Sequence, residues 1–448
     1  MAEGRVAVVG SGLAGLAAGL TLKRLGYTVE LFERSRLIGG KTTSFQLEGV
    51  EVDNGQHVFL GCCTQLLEFF REVEEGSRER SADSGNAAAS MWCLQPRFEA
   101  VLLPRTGRPI HLQEVGLPVP FQLLPSLLRA HHLGMAGRIQ IAFALPALYR
   151  DPYPGESFAG WLSRHRQGRV ARHGFWDPFV VPALNGSAEG VSAADAVFVM
   201  RTAFLSDRRA ARFGFSRVPL GTIAKRAAAR LDRVHLRTPI VGVQDDGTGG
   251  RRVTVRTSRD DVHEFDACIL AVPPPRLKSL LGTPRRLGIY GLDQFRFSAI
   301  VDIHLWFDLP SGSLLEQRLG FWALLDSAVQ WVFEKEAPPG ETYLCCSMSA
   351  AQRYVAWGAE QLVQLCVAEL TARLPRLKTA RLLRSGVTRD REATFLPSVG
   401  LVRPGPRTSC PRVVVAGAWT DTGWPATMES AVRSGRRAAR VLHDATGA

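Results

Sequence analysis

The chain opens with an apolar run of strand length, Arg5–Val9, followed by a glycine-rich turn from Gly10 to Gly15. Apolar residues then recur at helical spacing over 13–25, and Gly26 stops them. Thr28–Phe32 is a second short apolar run. Strand, helix and strand in that order predict a βαβ unit, the beginning of a parallel sheet. Residues 76–90 are small, polar and charged and predict a surface loop. From about 95 to 210 the pattern is mostly helical. Within it, residues 117–149 are rich in Leu, Phe, Pro and Ile, with Arg and His interspersed. That stretch predicts two amphipathic helices around Gly134 and Gly137, which line an apolar tunnel, dip into a bilayer interface or face an ordinary core. Strand patterns return at 234–243, 252–257 and 264–272, the last ended by Pro273, Pro274 and Pro275. They predict a small sheet that rejoins the first domain. Residues 286–395 alternate strands with a helix near 360–373. A strand over 412–416 and an amphipathic helix over 428–442 close the chain, and no internal repeat is visible.

Composition narrows the class. A chain of 448 residues with 46% hydrophobic content can bury a large core in two or three domains. The net charge is +13, carried almost wholly by Arg, with Lys at only six positions. Such a balance suits an anionic membrane surface or simply a basic exterior. Nucleic acid is not expected as a partner, because there is no basic run of five and no nucleic-acid fold signature. The eight Cys residues include the adjacent pairs Cys62/Cys63 and Cys345/Cys346 and form no CxxC or Cys/His metal spacing. Reduced buried thiols and no metal are expected. No signal peptide precedes the first strand, and no apolar run reaches the roughly 18 residues of a spanning helix. The expectation is a cytoplasmic protein, peripheral on the inner face of the cell membrane if it touches one.

Gly10-Ser11-Gly12-Leu13-Ala14-Gly15 is a GxGxxG turn that follows a strand and opens a helix. The first glycine permits the tight turn, the second a close approach of backbone to pyrophosphate, and the third close helix–strand packing. The helix N-terminus offers free N–H groups to the phosphates. Glu33 ends the second strand, placed for ribose hydroxyls, with Arg34 beside it among the expected cofactor contacts.

Leu37-Ile38-Gly39-Gly40-Lys41 resembles the GG-Arg segment of the amine oxidase and carotenoid desaturase flavoproteins, which implies FAD rather than NAD. The base here is Lys41, so bidentate phosphate contact is lost. Val413 to Gly417, then Ala418 and, further on, Thr427-Met428, resemble the same superfamily's C-terminal flavin motif. There the start of a helix faces the flavin and stabilises its anionic reduced form. Relatives often carry an acid at the position of Ala418, whose methyl group cannot make that contact. Val241, in Pro239-Ile240-Val241, resembles the strand whose backbone meets adenine, though it could equally be ordinary sheet.

The resemblance then narrows. Asp53-Asn54-Gly55-Gln56-His57, Ala183-Leu184-Asn185, Trp331-Val332-Phe333 and the ending from Thr420 resemble the hydroxysqualene dehydroxylase family. It implies an α/β fold: a Rossmann-type FAD domain with a discontinuous mixed α+β substrate domain. The FAD domain would take 1–75, 211–285 and 396–448, and the substrate domain 76–210, largely helical, and 286–395. It implies an apolar isoprenoid substrate, hydride transfer from reduced flavin and a separate electron donor. His57 is the first candidate proton donor, and Asp53 and Asp421 are weaker catalytic candidates; alternatively all three only shape loops. Trp424 is read as an apolar substrate wall, and Lys335 as part of a charged surface turn. Rivals are a carotenoid or phytoene desaturase, a flavin amine oxidase and a prenyl-binding escort without catalysis.

Overall fold

The structure, a computed structural model, describes residues 4–80, 90–245, 252–281, 284–312, 314 and 320–446. Five strands form a parallel sheet in the order Arg233–His235, Thr28–Phe32, Arg5–Val9, Ala267–Leu270, Val413–Val415. Residues 6–9, Ala267–Leu270 and Val413–Val415 are continuously apolar because both faces of the sheet are covered there. Val6 and Val8 point into a core with the helices Leu13–Arg24, Leu220–Ala228 and Met428–Thr446. Ala7 and Val9 point the other way, into a core shared with the antiparallel strands Ile240–Asp245, Val253–Thr257 and Val262–Phe265.

Two of the expected strand runs each divide between these sheets. In 234–243, the first part joins the parallel sheet, and Arg237 at φ 52° turns the chain before the antiparallel strand begins. In 264–272 the break falls at Asp266, whose carboxylate accepts the backbone N–H of Arg5 at 2.7 Å. Pro274 begins the helix Pro274–Leu281, at a position where a missing N–H costs nothing.

A seven-stranded sheet makes the second layer, in the order Leu382–Phe395, Phe297–Asp308, Glu341–Met348, Trp331–Lys335, Phe321–Leu324, Glu99–Leu103, Ile110–Gln113. The stretch from 95 is therefore not helical at its start: Glu99–Leu103 and Ile110–Gln113 form a hairpin around a turn with Gly107 at φ 104°. Helix Ala359–Thr371 covers one face of this sheet with an aliphatic core. Helices Leu124–Arg129, Gly134–Ala144, Phe158–Arg164, Asp177–Leu184 and Ala193–Phe204 form a third layer.

The surface loop expected over 76–90 begins later than its composition suggests. Helix Thr64–Arg80 continues through 76–80, and residues 81–89 lie outside the described residues.

Candidate active site

The glycine turn is built for a close approach. Gly10 has φ 106°, and a Cβ there would lie 2.5 Å from the Ala271 carbonyl. A Cβ on Gly15 would lie 1.9 Å from the Gly10 carbonyl, so this glycine sets helix–strand contact. Gly12 differs, because a Cβ there meets nothing within 4 Å. It is also the N-cap of Leu13–Arg24, with no side chain capping the helix and no acid in its first turn. Open space in front of uncapped N–H groups fits a phosphate. Leu13 and Ala14 are buried in that first turn. Ser11 donates to Glu33 Oε2 from both N, at 2.9 Å, and Oγ, at 2.7 Å, while Ser35 N donates to Oε1. Glu33 thus braces the glycine turn, and Arg34 beside it is exposed. The loop with Gly39 and Gly40 lies against the turn: Gly12 and Gly39 form a bridge, and a Cβ on Gly40 would be 3.1 Å from Gly12 Cα. Lys41 leaves this loop and pairs with Asp390 at 2.7 Å, also donating to the Glu392 carbonyl.

The C-terminal motif flanks the same sheet. Gly417 follows the last strand with φ 147°, and its N–H donates to Ser434 Oγ. The Ala418 carbonyl accepts from Ser430 Oγ at 3.2 Å. Thr427 caps the final helix, its Oγ1 accepting from Ser430 N, and Met428 is the first helical residue. Asp421 is exposed, accepts from Gly423 N and lies 3.7 Å from Arg403. Trp424 meets Phe198 edge-to-face at 5.3 Å, with Arg433 over its ring at 4.9 Å. Val241 is exposed on its strand.

The Asp53–His57 loop follows strand Val50–Asp53 and reaches helix Leu220–Ala228 through Asp53 and strand Phe297–Asp308 at Gly55. Asp53 Oδ1 accepts from Ser44 Oγ at 2.6 Å and from Leu220 N at 2.8 Å, so it caps helix Leu220–Ala228. His57 Nε2 lies 3.2 Å from both the Lys41 and Asn54 carbonyls. Two acceptors require that nitrogen to carry a proton, which leaves Nδ1 as the reactive one.

Across the loop stands Asp302, an acid at the middle of the buried strand Phe297–Asp308. A Cβ on Gly55 would lie 3.3 Å from Asp302 Oδ2 and 3.9 Å from His57 Nε2. Burial pushes the Asp302 carboxyl up to about 6, against the Ser347 hydroxyl, the His57 charge, the Gln56 N–H and Lys335. Two residues along, burial pushes His304 down to about 4, and its Nδ1 is 2.8 Å from Tyr343 Oη. Lys335 sits half-buried at the end of a strand opposite Tyr343 rather than in a surface turn, because 331–335 pairs with Glu341–Met348 while 331–333 also pairs with Phe321–Leu324.

The same face of the large sheet continues as an aromatic wall. Trp331, Phe333 and Phe321 pack with Phe213 and Phe215, and with Val58 and Leu60 from the loop after His57. Helices Leu124–Arg129 and Gly134–Ala144 cover this cluster with Leu127, Ala130 and Ile141.

Residues 13–443 match the family model of the flavin containing amine oxidoreductases. The chain belongs to that family. It is a flavoprotein oxidoreductase and FAD is its cofactor. The hydroxysqualene dehydroxylase of Rhodopseudomonas palustris is 28% identical, covering 98% of each chain. The 15-cis-phytoene desaturase of Synechococcus elongatus is 23% identical over 98% of this chain and 95% of its own. Among solved structures, the cyclohexylamine oxidase of Brevibacterium oxydans superposes with a TM-score of 0.70 at 16% identity, covering 98% of this chain and 99% of its own.

For this flavin containing amine oxidoreductase, sequence reasoning passed over Asp302, His304 and Glu429. Glu429 is wholly buried, accepts from Gln65 N and Leu66 N, and pairs with Arg433 at 2.6 Å. Asp302 and His304 did carry a signal. They stand two apart in an otherwise apolar run, so both face the same side of one strand.

Proposed function

We propose that this chain removes the hydroxyl of a polyisoprenoid alcohol, hydroxysqualene, giving squalene and water. The observation that carries this reading is the buried aromatic cluster on the sheet face shared with Asp302, joined by Val58 from the His57 loop: apolar walls suited to a hydrocarbon, with titratable groups beside them. Full-length similarity to a hydroxysqualene dehydroxylase supports it. The pyrophosphate of FAD would lie at Gly10–Gly15, its ribose near Glu33, its adenine near Val241 and its flavin by Gly417, Ala418, Thr427 and Met428.

The substrate is an allylic alcohol. Its C–O bond breaks with the electron pair on oxygen, and hydroxide leaves poorly, so a proton must arrive as it departs. In this reading His57 gives that proton through Nδ1, and the engagement of Nε2 with two carbonyls supports the choice of nitrogen. The allylic cation left behind needs dry surroundings. Trp331, Phe333 and Trp424 offer apolar surface, and aromatic faces also attract positive charge. When bound in its reduced form, FAD supplies the hydride that completes the new C–H bond. A separate donor provides the electrons, since the chain has a single dinucleotide fingerprint. Asp53 and Asp421, engaged in capping and loop contacts, support these elements rather than the proton transfer.

Anaerobic incubation of the dithionite-reduced protein with hydroxysqualene, read by mass spectrometry, tests the reading. Squalene is expected. A more conjugated product from squalene or phytoene, with hydroxysqualene untouched, would make the chain a desaturase instead.

We further propose that the helical layer rests on an anionic membrane. Phe121, Leu128, Met135 and Phe143 are 54%, 58%, 70% and 80% exposed on one stretch. Residues 115–150 contain no Asp or Glu but hold Arg129, Arg138, Arg150 and His131. The buried side of these same helices covers the aromatic wall, so an insoluble substrate could pass from lipid to site without crossing water.

A further inference from the structure

We propose that Ser347 binds the hydroxyl oxygen of the substrate, with the Asp302 carboxylate beside it taking the serine's own proton in a hydrogen bond. This inference rests on the reading of the chain as acting on a polyisoprenoid alcohol.

The sheet register places the groups. Ser347 stands opposite Asp302 on one neighbouring strand and opposite Trp331 on the other. The residues next to them along the strands, Val301, Val332, Cys346 and Met348, enter the aliphatic core on the far side of the sheet. Asp302, Ser347 and Trp331 therefore form one row across the other face, with neighbouring Cβ atoms about 5 Å apart. Trp331 belongs to the aromatic cluster, so Ser347 is where the acidic part of this face meets the apolar part. The loop with His57 crosses the same row: Gly55 stands over Asp302, and Val58 packs with the aromatic cluster.

Exposure singles out the serine. Asp302, Trp331, Thr388, His304 and Cys345 surround it on this face, and each is buried. Ser347 is only half-buried. Its strand is paired on both edges, so the surface left open belongs to its side chain. The half-buried Lys335 stands opposite Tyr343, two rows further along and roughly 13 Å from Ser347.

The chemistry suits an alcohol. Asp302 Oδ1 has no hydrogen-bond partner among the described residues, so the carboxylate has room for a donor, and the Ser347 hydroxyl favours its charged form. A serine that donates to a carboxylate keeps its lone pairs for a second partner. The substrate O–H can then donate to Ser347 Oγ, while the lone pairs of the substrate oxygen stay free for the proton that assists its departure. A hydrocarbon offers no donor and leaves that acceptor unfilled.

The test uses the oxidised, FAD-loaded protein, which can bind hydroxysqualene without reducing it. Dissociation constants for hydroxysqualene and squalene are measured by partition between detergent micelles and protein, each lipid counted by mass spectrometry. Wild type should prefer the alcohol about tenfold, the worth of one good hydrogen bond. Ser347→Ala should bind the two alike, with its affinity for squalene within about twofold of wild type. Should that variant not load FAD, Ser347→Cys keeps the size of the side chain with a much weaker donor and acceptor, and the preference should fall likewise. A preference that survives in the variant overturns the proposal, as does a wild type that binds both lipids alike. A wild type that shows the preference yet forms no squalene after reduction would sink the dehydroxylation and leave the oxygen site standing.

Discussion

At the scale of single residues, two glycines in one turn should fail differently. Gly12→Val adds a side chain to open space in front of the first helix. The fold should survive with its melting temperature as apoprotein unchanged, while the purified protein loses its flavin absorbance. Gly15→Val drives carbon into a backbone carbonyl that even a Cβ would meet at 1.9 Å. Loss of about 3 kcal/mol or more is expected there, seen in denaturant melts. Full FAD occupancy in Gly12→Val would show that the pyrophosphate lies elsewhere. Asp302 makes a second prediction, on pH. Its folded value, about 6, lies above the usual carboxylate value, so the folded state holds the proton more tightly. The stability this contributes is fully present below about pH 4 and is lost as pH rises through about 6, on the order of 3 kcal/mol. Asp302→Asn should flatten that part of the pH–stability curve, and an unaltered slope between pH 4 and 6.5 would refute the assignment.

At the scale of elements, the layers are joined by a few buried polar residues. Asn185 ends helix Asp177–Leu184 at φ 49°. Its Nδ2 donates to the Ser298 carbonyl and Thr394 Oγ1, and its Oδ1 accepts from Ala350 N. Asn185→Ala leaves those buried partners unmatched, and about 2–3 kcal/mol of stability should go with it. Lys41 joins elements differently. Its ion pair with Asp390 ties the double-glycine loop to the large sheet with half of the lysine exposed. Lys41→Met should therefore cost less than about 1 kcal/mol and leave the flavin-to-protein ratio unchanged. A marked fall in that ratio would mean that the side chain turns to the phosphates when FAD is bound. The sequence expectation placed a base near phosphate because the motif did so. Only the approach of strand Leu382–Phe395, some 350 residues on, brings an acid within reach of Lys41.

At the scale of the whole molecule, the apolar stretch over 117–149 has two sides, and each has a consequence. In cosedimentation, the protein should pellet with vesicles containing phosphatidylglycerol, less so in high salt, and hardly with phosphatidylcholine alone. Met135→Ser with Phe143→Ser should lower that binding at least about tenfold, since each side chain buries about 2 kcal/mol of apolar surface on insertion. Equal recovery in the supernatant under every condition would remove the membrane from the account. The sequence by itself determined the βαβ start, the glycine turn with its acid, the last strand with the helix after it, and the flavoprotein family. Each of these is local: a period of apolar residues, a glycine whose φ the turn demands, a helix start close to its strand. Tertiary structure alone decided which sheet each later strand joined and what each titratable group became. Asp53 read as a candidate acid, yet it caps a helix whose first residue, Leu220, comes 167 positions later. Asp302 read as one acid among many, yet sheet pairing and the passing Asp53–His57 loop bury it beside an imidazole. Burial and charge pairing depend on distance in space, and no local pattern encodes them.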